Sequence, residues 1–176
     1  MDKTKESLSI EFVMLVSTAI TTGKITVGNI EYYAALGADV NCQDVFEESV
    51  LHTAASLDYT DTDIIDALIA AGADVNLKCY RYGQTPLHYA AKDGSYTVIR
   101  ALILAGADIN AKDNEGNTPL MYLAQRSWME EIGELIDGGA DLSIRNNEGH
   151  TAFDLYKERC KDNIEWFETV TNSYTD

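Results

Sequence analysis

Residues 83–110 read GQTPLHYAAKDGSYTVIRALILAGADIN. Thr85-Pro86-Leu87-His88 has the marks of a helix start. A hydroxyl just before the first turn can accept a free backbone N–H, and proline's missing N–H had no partner there anyway. Gly94 divides this helix from a second one over about Tyr96 to Ala105. Gly106-Ala107-Asp108-Ile109-Asn110 then closes the stretch. A glycine just past a helix end supplies the positive φ that such ends need.

The same stretch is copied along the chain. The closing pattern recurs as Gly37-Ala38-Asp39-Val40-Asn41, Gly72-Ala73-Asp74-Val75-Asn76 and Gly139-Ala140-Asp141-Leu142-Ser143. The helix start recurs as Ser49-Val50-Leu51-His52, Thr118-Pro119-Leu120-Met121 and Thr151-Ala152-Phe153-Asp154. The closing glycines stand 35, 34 and 33 residues apart. A fixed period of this length means stacked supersecondary units, each too small to bury its own apolar face. Period, opening and closing together resemble the ankyrin-repeat family. The resemblance covers about residues 8–170. It implies an all-α solenoid of about five helix-turn-helix repeats, forming a single domain over residues 1–176. The units are expected at 8–41 (an N-terminal capping repeat), 42–76, 77–110, 111–143 and 144–170 (a C-terminal capping repeat).

Each unit carries its own departures. The first lacks the helix-start motif, as a terminal repeat with one unpaired face can. Its first helix is expected over 8–22, with Leu8, Phe12, Leu15, Val16 and Ala19 facing inward at helical spacing. Residues 1–7 and the tail from Thr171 are expected outside the helices. In the second unit Glu47 stands where the others have Gly83, Gly116 and Gly149, and Leu51 to Leu57 reads as the first helix. Asp61 or Asp63 is expected to cap its second helix. The third unit carries one extra residue near Cys79, and the fourth has Ser127-Trp128 where the third has Gly94-Ser95. The last helix is expected from Asn163 to Val170.

Composition limits the chemistry. The net charge is −16. Acidity this strong argues against a broad phosphate-binding surface, which needs concentrated Lys and Arg. It favours solubility and basic partners. The charge is uneven, since residues 80–112 alone hold more bases than acids. No stretch is long and apolar enough to span a membrane. The start MDKTKESLSIEFVMLVSTAI is interrupted by Glu11 and reads as an amphipathic cap of a cytoplasmic protein, or of one acting in a host cytosol, rather than a leader. Cys42, Cys79 and Cys160 are widely spaced and read as reduced structural thiols.

No phosphate loop, GxSxG elbow, HExxH or nucleophile–base pair occurs, so no catalytic residue, metal or cofactor is assigned. Asp58, Asp61, Asp63 and Asp66 lack the central glycine and terminal glutamate of a calcium loop and read as helix-capping charge. In the ankyrin family the motif histidine holds a neighbouring loop, which assigns His52 and His88 to structure. Asn76 and Asn110 are assigned a turn role.

The resemblance implies a concave binding face made of turn tips and inner-helix ends. The positions that the scaffold does not demand are Val45, Phe46, Glu48, Arg81, Tyr82, Gln84, Asn114, Glu115, Asn117, Asn147, Glu148 and His150 at the tips. Ser56, Leu57, Lys92, Asp93, Gln125, Arg126, Glu158 and Arg159 lie at helix ends, and Tyr59 and Trp128 between helices. Aromatics and arginine are the usual interface anchors. The expected function is therefore non-enzymatic binding of a protein, by a chain that is monomeric in isolation and contacts neither nucleic acid nor membrane. Two roles stand side by side. One is an inhibitor, immunity factor or adaptor for a basic target, such as a nuclease-like toxin or a nucleic-acid-binding protein. The other is a bacterial or viral effector or scaffold acting on a regulatory protein, with charge serving only solubility.

Overall fold

The computed structural model describes residues 4–22, 24–57, 62–93, 95–159 and 164–172. Among these the chain forms α1 (Lys5–Thr21), α2 (Val27–Ala35), α3 (Val50–Ala55), α4 (Asp63–Ala70), α5 (Pro86–Asp93), α6 (Tyr96–Leu104), α7 (Pro119–Arg126), α8 (Met129–Asp137), α9 (Ala152–Arg159) and α10 (Ile164–Asn172). No sheet forms among the described residues; one isolated antiparallel bridge joins Gln43 to Ser49. Odd helices pack on odd ones from α1 to α9, and even helices on even ones from α2 to α8. Two layers of helices result, the odd row being the inner one.

Helices of eight residues do not hold together alone in water, because nucleation costs more than so few bonds return. Burial supplies the difference. In α5 every residue from Pro86 to Ala91 is buried. Ala54, Ala55, Ala90, Ala91 and Ala124 are at most 1% exposed, so inner helices of adjacent units approach closely. In the outer row Ile65 and Leu68, then Val98, Ile99 and Leu102, then Ile132, Leu135 and Ile136 face inward at helical spacing.

The closing turns are tied by an asparagine ladder. Asn41 donates from Nδ2 to Gly72 O (3.0 Å) and accepts at Oδ1 from Asp74 N (2.7 Å). Asn76 repeats this to Gly106 and Asp108, and Asn110 to Gly139 and Asp141. Within each turn an aspartate carboxylate accepts the backbone N–H two residues on, as Asp74 does from Asn76 (2.8 Å). Gly37, Gly72, Gly106 and Gly139 all hold φ between 84° and 96°.

Several local expectations are corrected. α1 starts at Lys5, because Thr4 Oγ1 accepts from Ser7 N. This early turn serves the stack: the Ser9 hydroxyl accepts from Asp39 N at 2.8 Å. α1 therefore makes toward the first closing turn the bond that a ladder asparagine makes toward the later ones. Leu15 is 44% exposed, while Phe12 and Val16 face inward as expected, joined by Val13 and Ile20. α3 stops at Ala55, and Thr171 and Asn172 belong to α10. Thr62 precedes α4 without a side-chain cap, and Asp63 is already helical; Asp61 lies outside the described residues. Thr118 also makes no side-chain cap bond. Ser127 ends α7 in the left-handed region at φ 59°.

A candidate protein-binding face

The turns that open units two, four and five follow one plan, set by an aspartate or asparagine. Asp44 Oδ1 accepts the N–H groups of Phe46 (2.7 Å) and Glu48 (3.2 Å). Asp113 does so for Glu115 and Asn117, and Asn146 for Glu148 and His150. The apex residue takes positive φ: Gly83 66°, Gly116 77°, Gly149 86° and, without glycine's freedom, Glu47 65°. In the third unit Cys79 occupies the aspartate position, and its sulfur collects no such bonds. One more residue fits between Cys79 and Gln84, whose backbones pair at 2.8 Å, than between Asp113 and Asn117, which pair at 3.0 Å.

Neighbouring tips bind each other through backbone. Tyr80 N donates to Glu47 O (3.3 Å), Asn114 N to Tyr82 O (2.9 Å) and Asn147 N to Glu115 O (2.9 Å). Asn114 Nδ2 also reaches Arg81 O, and Asn147 Nδ2 reaches Asn114 O. The tips thus form one continuous ridge. A Cβ on Gly83 would meet the Asn114 side-chain amide and come within 3.2 Å of its backbone N, on a backbone already at φ 66°, so glycine suits this close approach.

Beneath the ridge, two buried histidines pin α3 and α5, each to the next turn. The Ser49 N–H points at His52 Nδ1 (3.2 Å), so that nitrogen is the acceptor, and Nε2–H donates to Gln84 O (3.1 Å). His88 does the same between Thr85 N (3.1 Å) and Asn117 O (3.1 Å). Burial pushes the His52 imidazole down to about 4, with only partial opposition from the Gln84 carbonyl. Burial lowers His88 likewise. Both rings are neutral and structural.

The family model for Ankyrin repeats (3 copies) matches residues 24–113, and that for a single Ankyrin repeat matches residues 115–147. The chain belongs to the ankyrin-repeat family. Its repeats make it a protein–protein interaction module. No curated protein matches it. No helix among the described residues is long and apolar enough to cross a membrane. Among the described residues no cluster of His, Cys, Asp and Glu has the make-up of a metal site.

The ankyrin stack brings some of the expected contact residues to one face and withdraws others. Phe46 is 66% exposed and Tyr82 48%, both on the ridge. Arg81 lies over the Tyr82 ring at 5.2 Å. Asn114, Glu115 and Glu148 are exposed. His150 is half-buried, 3.5 Å from the Glu148 carboxylate. Arg126 stacks on Trp128 at 5.1 Å, and Trp128 itself packs against the core at the start of α8. Tyr59 lies outside the described residues.

Gln84 and Asn117 are corrections. They are buried, 4% and 6% exposed, and their amides are engaged by neighbouring units. Gln84 Nε2 donates to Tyr122 Oη (2.7 Å), and Asn117 Oδ1 accepts from Asn146 Nδ2 (2.9 Å). Glu48 is half committed as well: Tyr89 Oη donates to its Oε1 at 2.5 Å. Burial and this carboxylate hold the Tyr89 phenol far above its ordinary value, so it stays a donor.

Two exposed elements were missed. Tyr80 is 80% exposed, beside the expected Val45 at 89%. The signal for Tyr80 was the extra residue in its turn, which leaves one more side chain outside than the plan accommodates. On α1, Ile10 (50%), Met14 (65%) and Leu15 (44%) form a second apolar stripe beside the buried one. Ile10, Val13 and Met14 face Val45 and Phe46 across a groove of about 670 Å³, with Asp44 and Glu48 on its wall. The pattern Ile10-x-x-x-Met14 was visible in the sequence, but one unpartnered helix face reads the same as core.

Proposed function

We propose that this ankyrin array holds one protein partner along its concave face and acts by occupying the partner's surface, as an inhibitor, immunity factor or adaptor. The observation that carries this reading is the bonded ridge of turn tips. It presents Val45, Phe46, Tyr80 and Tyr82 to solvent beside the α1 groove. A rigid scaffold that exposes large apolar side chains in one strip matches the way interface energy concentrates in a few anchors. Asp44, Glu47 and Glu48 border that strip, and residues 44–79 hold eight acids against one lysine. A basic surface on the partner, such as that of a nuclease-like toxin or a nucleic-acid-binding protein, is complementary to them. The chain works without catalysis, as a monomer in the cytoplasm.

Tyr82→Ala with Phe46→Ala is expected to weaken binding of a partner captured from native extract by at least about tenfold, since anchors are worth roughly 2 kcal/mol or more. The melting midpoint should hardly move, because these rings are largely outside the core. An unchanged dissociation constant with an intact fold would exclude the ridge. The apolar groove on α1 supports a second reading, an effector or scaffold gripping a regulatory protein by an apolar segment. Salt separates the two: association with a basic target slows steeply as ionic strength rises, whereas apolar docking does not.

A further inference from the structure

Away from the acidic end of the face, three cations gather. Lys92 at the end of α5, Arg126 at the end of α7 and Arg159 at the end of α9 line one notch of about 450 Å³ with Tyr122 and Gln125. The chain holds 29 acids against 13 bases, so spare partners for a cation are plentiful. Yet none of these three makes an ion pair among the described residues. Asp93 and Glu158 adjoin Lys92 and Arg159 in sequence without pairing to them.

Two of the cations are held in place by aromatic rings. Lys92 Nζ lies 5.9 Å from the Tyr89 ring centre and 5.8 Å from that of Tyr122. Those rings are themselves anchored, Tyr89 to Glu48 and Tyr122 to Asp113 (2.7 Å). Arg126 is seated on Trp128. Cation–π contacts of this kind fix a charge without neutralising it. The Tyr122 hydroxyl is spent on Asp113 and Gln84, so the notch offers charge and the Gln125 amide rather than a phenol.

We propose that this notch binds carboxylates, and that it takes an acidic segment of the protein partner. Three unpaired like charges in one notch repel each other, and an anion between them removes that cost. Guanidinium groups match a carboxylate through two parallel bonds. Cations already positioned lose less entropy on binding. The flanking acids argue against a nucleic acid, whose closely spaced phosphates would run past Asp93 and Glu158. The concave face is then polarised: apolar and acidic at Phe46, cationic at Arg159. A partner with a basic apolar patch and an acidic segment can sit on it in only one direction. The proposal rests on the concave-face reading for who brings the acid, but not for the chemistry of the notch.

The test uses the full chain and fluorescein-labelled hexaglutamate, followed by fluorescence anisotropy at low salt. Saturable binding is expected, weakened about tenfold or more by Lys92→Gln with Arg159→Gln. In the unsubstituted protein, peptide-induced amide shifts should centre on Lys92, Arg126 and Arg159. No saturable binding, equal affinity for the folded double variant, shifts centred elsewhere, or equally tight binding of hexathymidylate would each overturn the proposal. Phe46→Ala with Tyr82→Ala should leave hexaglutamate affinity unchanged while weakening the captured partner. The ridge and the notch therefore fail separately.

Discussion

His52 offers a test of how the stack is pinned. Its ring accepts the Ser49 N–H at Nδ1 and donates to Gln84 O from Nε2, with no exposure to solvent. A second proton would fall on Nδ1, against that N–H. Burial accordingly lowers the ring from 6.5 to about 4. The unfolded chain takes up this proton below about pH 6.5, while the folded chain resists until about pH 4. The contribution to stability is therefore complete above pH 6.5, falls as pH drops through that window, and is level below pH 4. At 1.36 kcal/mol per unit, the loss amounts to about 2 kcal/mol by pH 5. Met121 occupies the equivalent position in α7, so His52→Met fills the space with a side chain the fold already accepts there. At pH 7.5 the variant should be about 1–3 kcal/mol less stable, because a buried N–H loses its acceptor. Other carboxylates titrate in both proteins and cancel in the comparison. Urea melts of the two at pH 7.5 and pH 5.0 should show the gap shrinking by about 2 kcal/mol. A gap that is the same at both pH values would refute the assignment of a neutral, inward-locked histidine.

Gly106→Val should cost about 1–3 kcal/mol in denaturant melts, from backbone strain alone: φ is +88° and an added Cβ meets nothing within 4 Å. Glu47→Gly should act the other way and stabilise by about 1 kcal/mol, since Glu47 holds φ 65° without glycine's freedom; a lowered midpoint would show that its side chain matters more than its backbone. Asn76→Ala removes two side-chain bonds between neighbouring closing turns and should cost about 1–2 kcal/mol by the same melts, towards the low end because water reaches the site. Deleting residues 146–176 uncovers the inner face of α7, including Leu123 and Ala124, and should give aggregation or a broad melt; a sharp monomeric transition would show that α9 and α10 are not the cap.

The repeat grammar was legible because it is local and periodic. Gly106 needs positive φ wherever its neighbours lie, and Asp108 and Asn110 fold one turn about themselves. The same letters must return every 33 to 35 residues if the same helix ends are to be built. The alanines of the inner helices and the motif histidines recur for a related reason, since each unit meets a neighbour of the same shape. The extra residue near Cys79 and the glutamate at position 47 stood out as breaks in that period, and both mark unusual turns in the fold.

What the period cannot announce is how a side chain is used by the unit beyond it. Gln84 and Asn114 both sit in turn tips and look equally free as letters. Gln84 is buried because Tyr122, 38 residues on, brings its hydroxyl over the amide, whereas Asn114 stays in water. The exposed stripe of α1 reads as core in one dimension and is left uncovered because none of the described residues packs over it. The cationic notch gathers Lys92, Arg126 and Arg159 from three units; the period sets them 34 and 33 residues apart, but only the stack shows that they line one notch with Tyr122 and Gln125. The amino-acid order determined the scaffold, because backbone geometry is set by near neighbours and repeats with them. Only the tertiary structure decided the face, because exposure and shared charge depend on which distant helices the stack brings together.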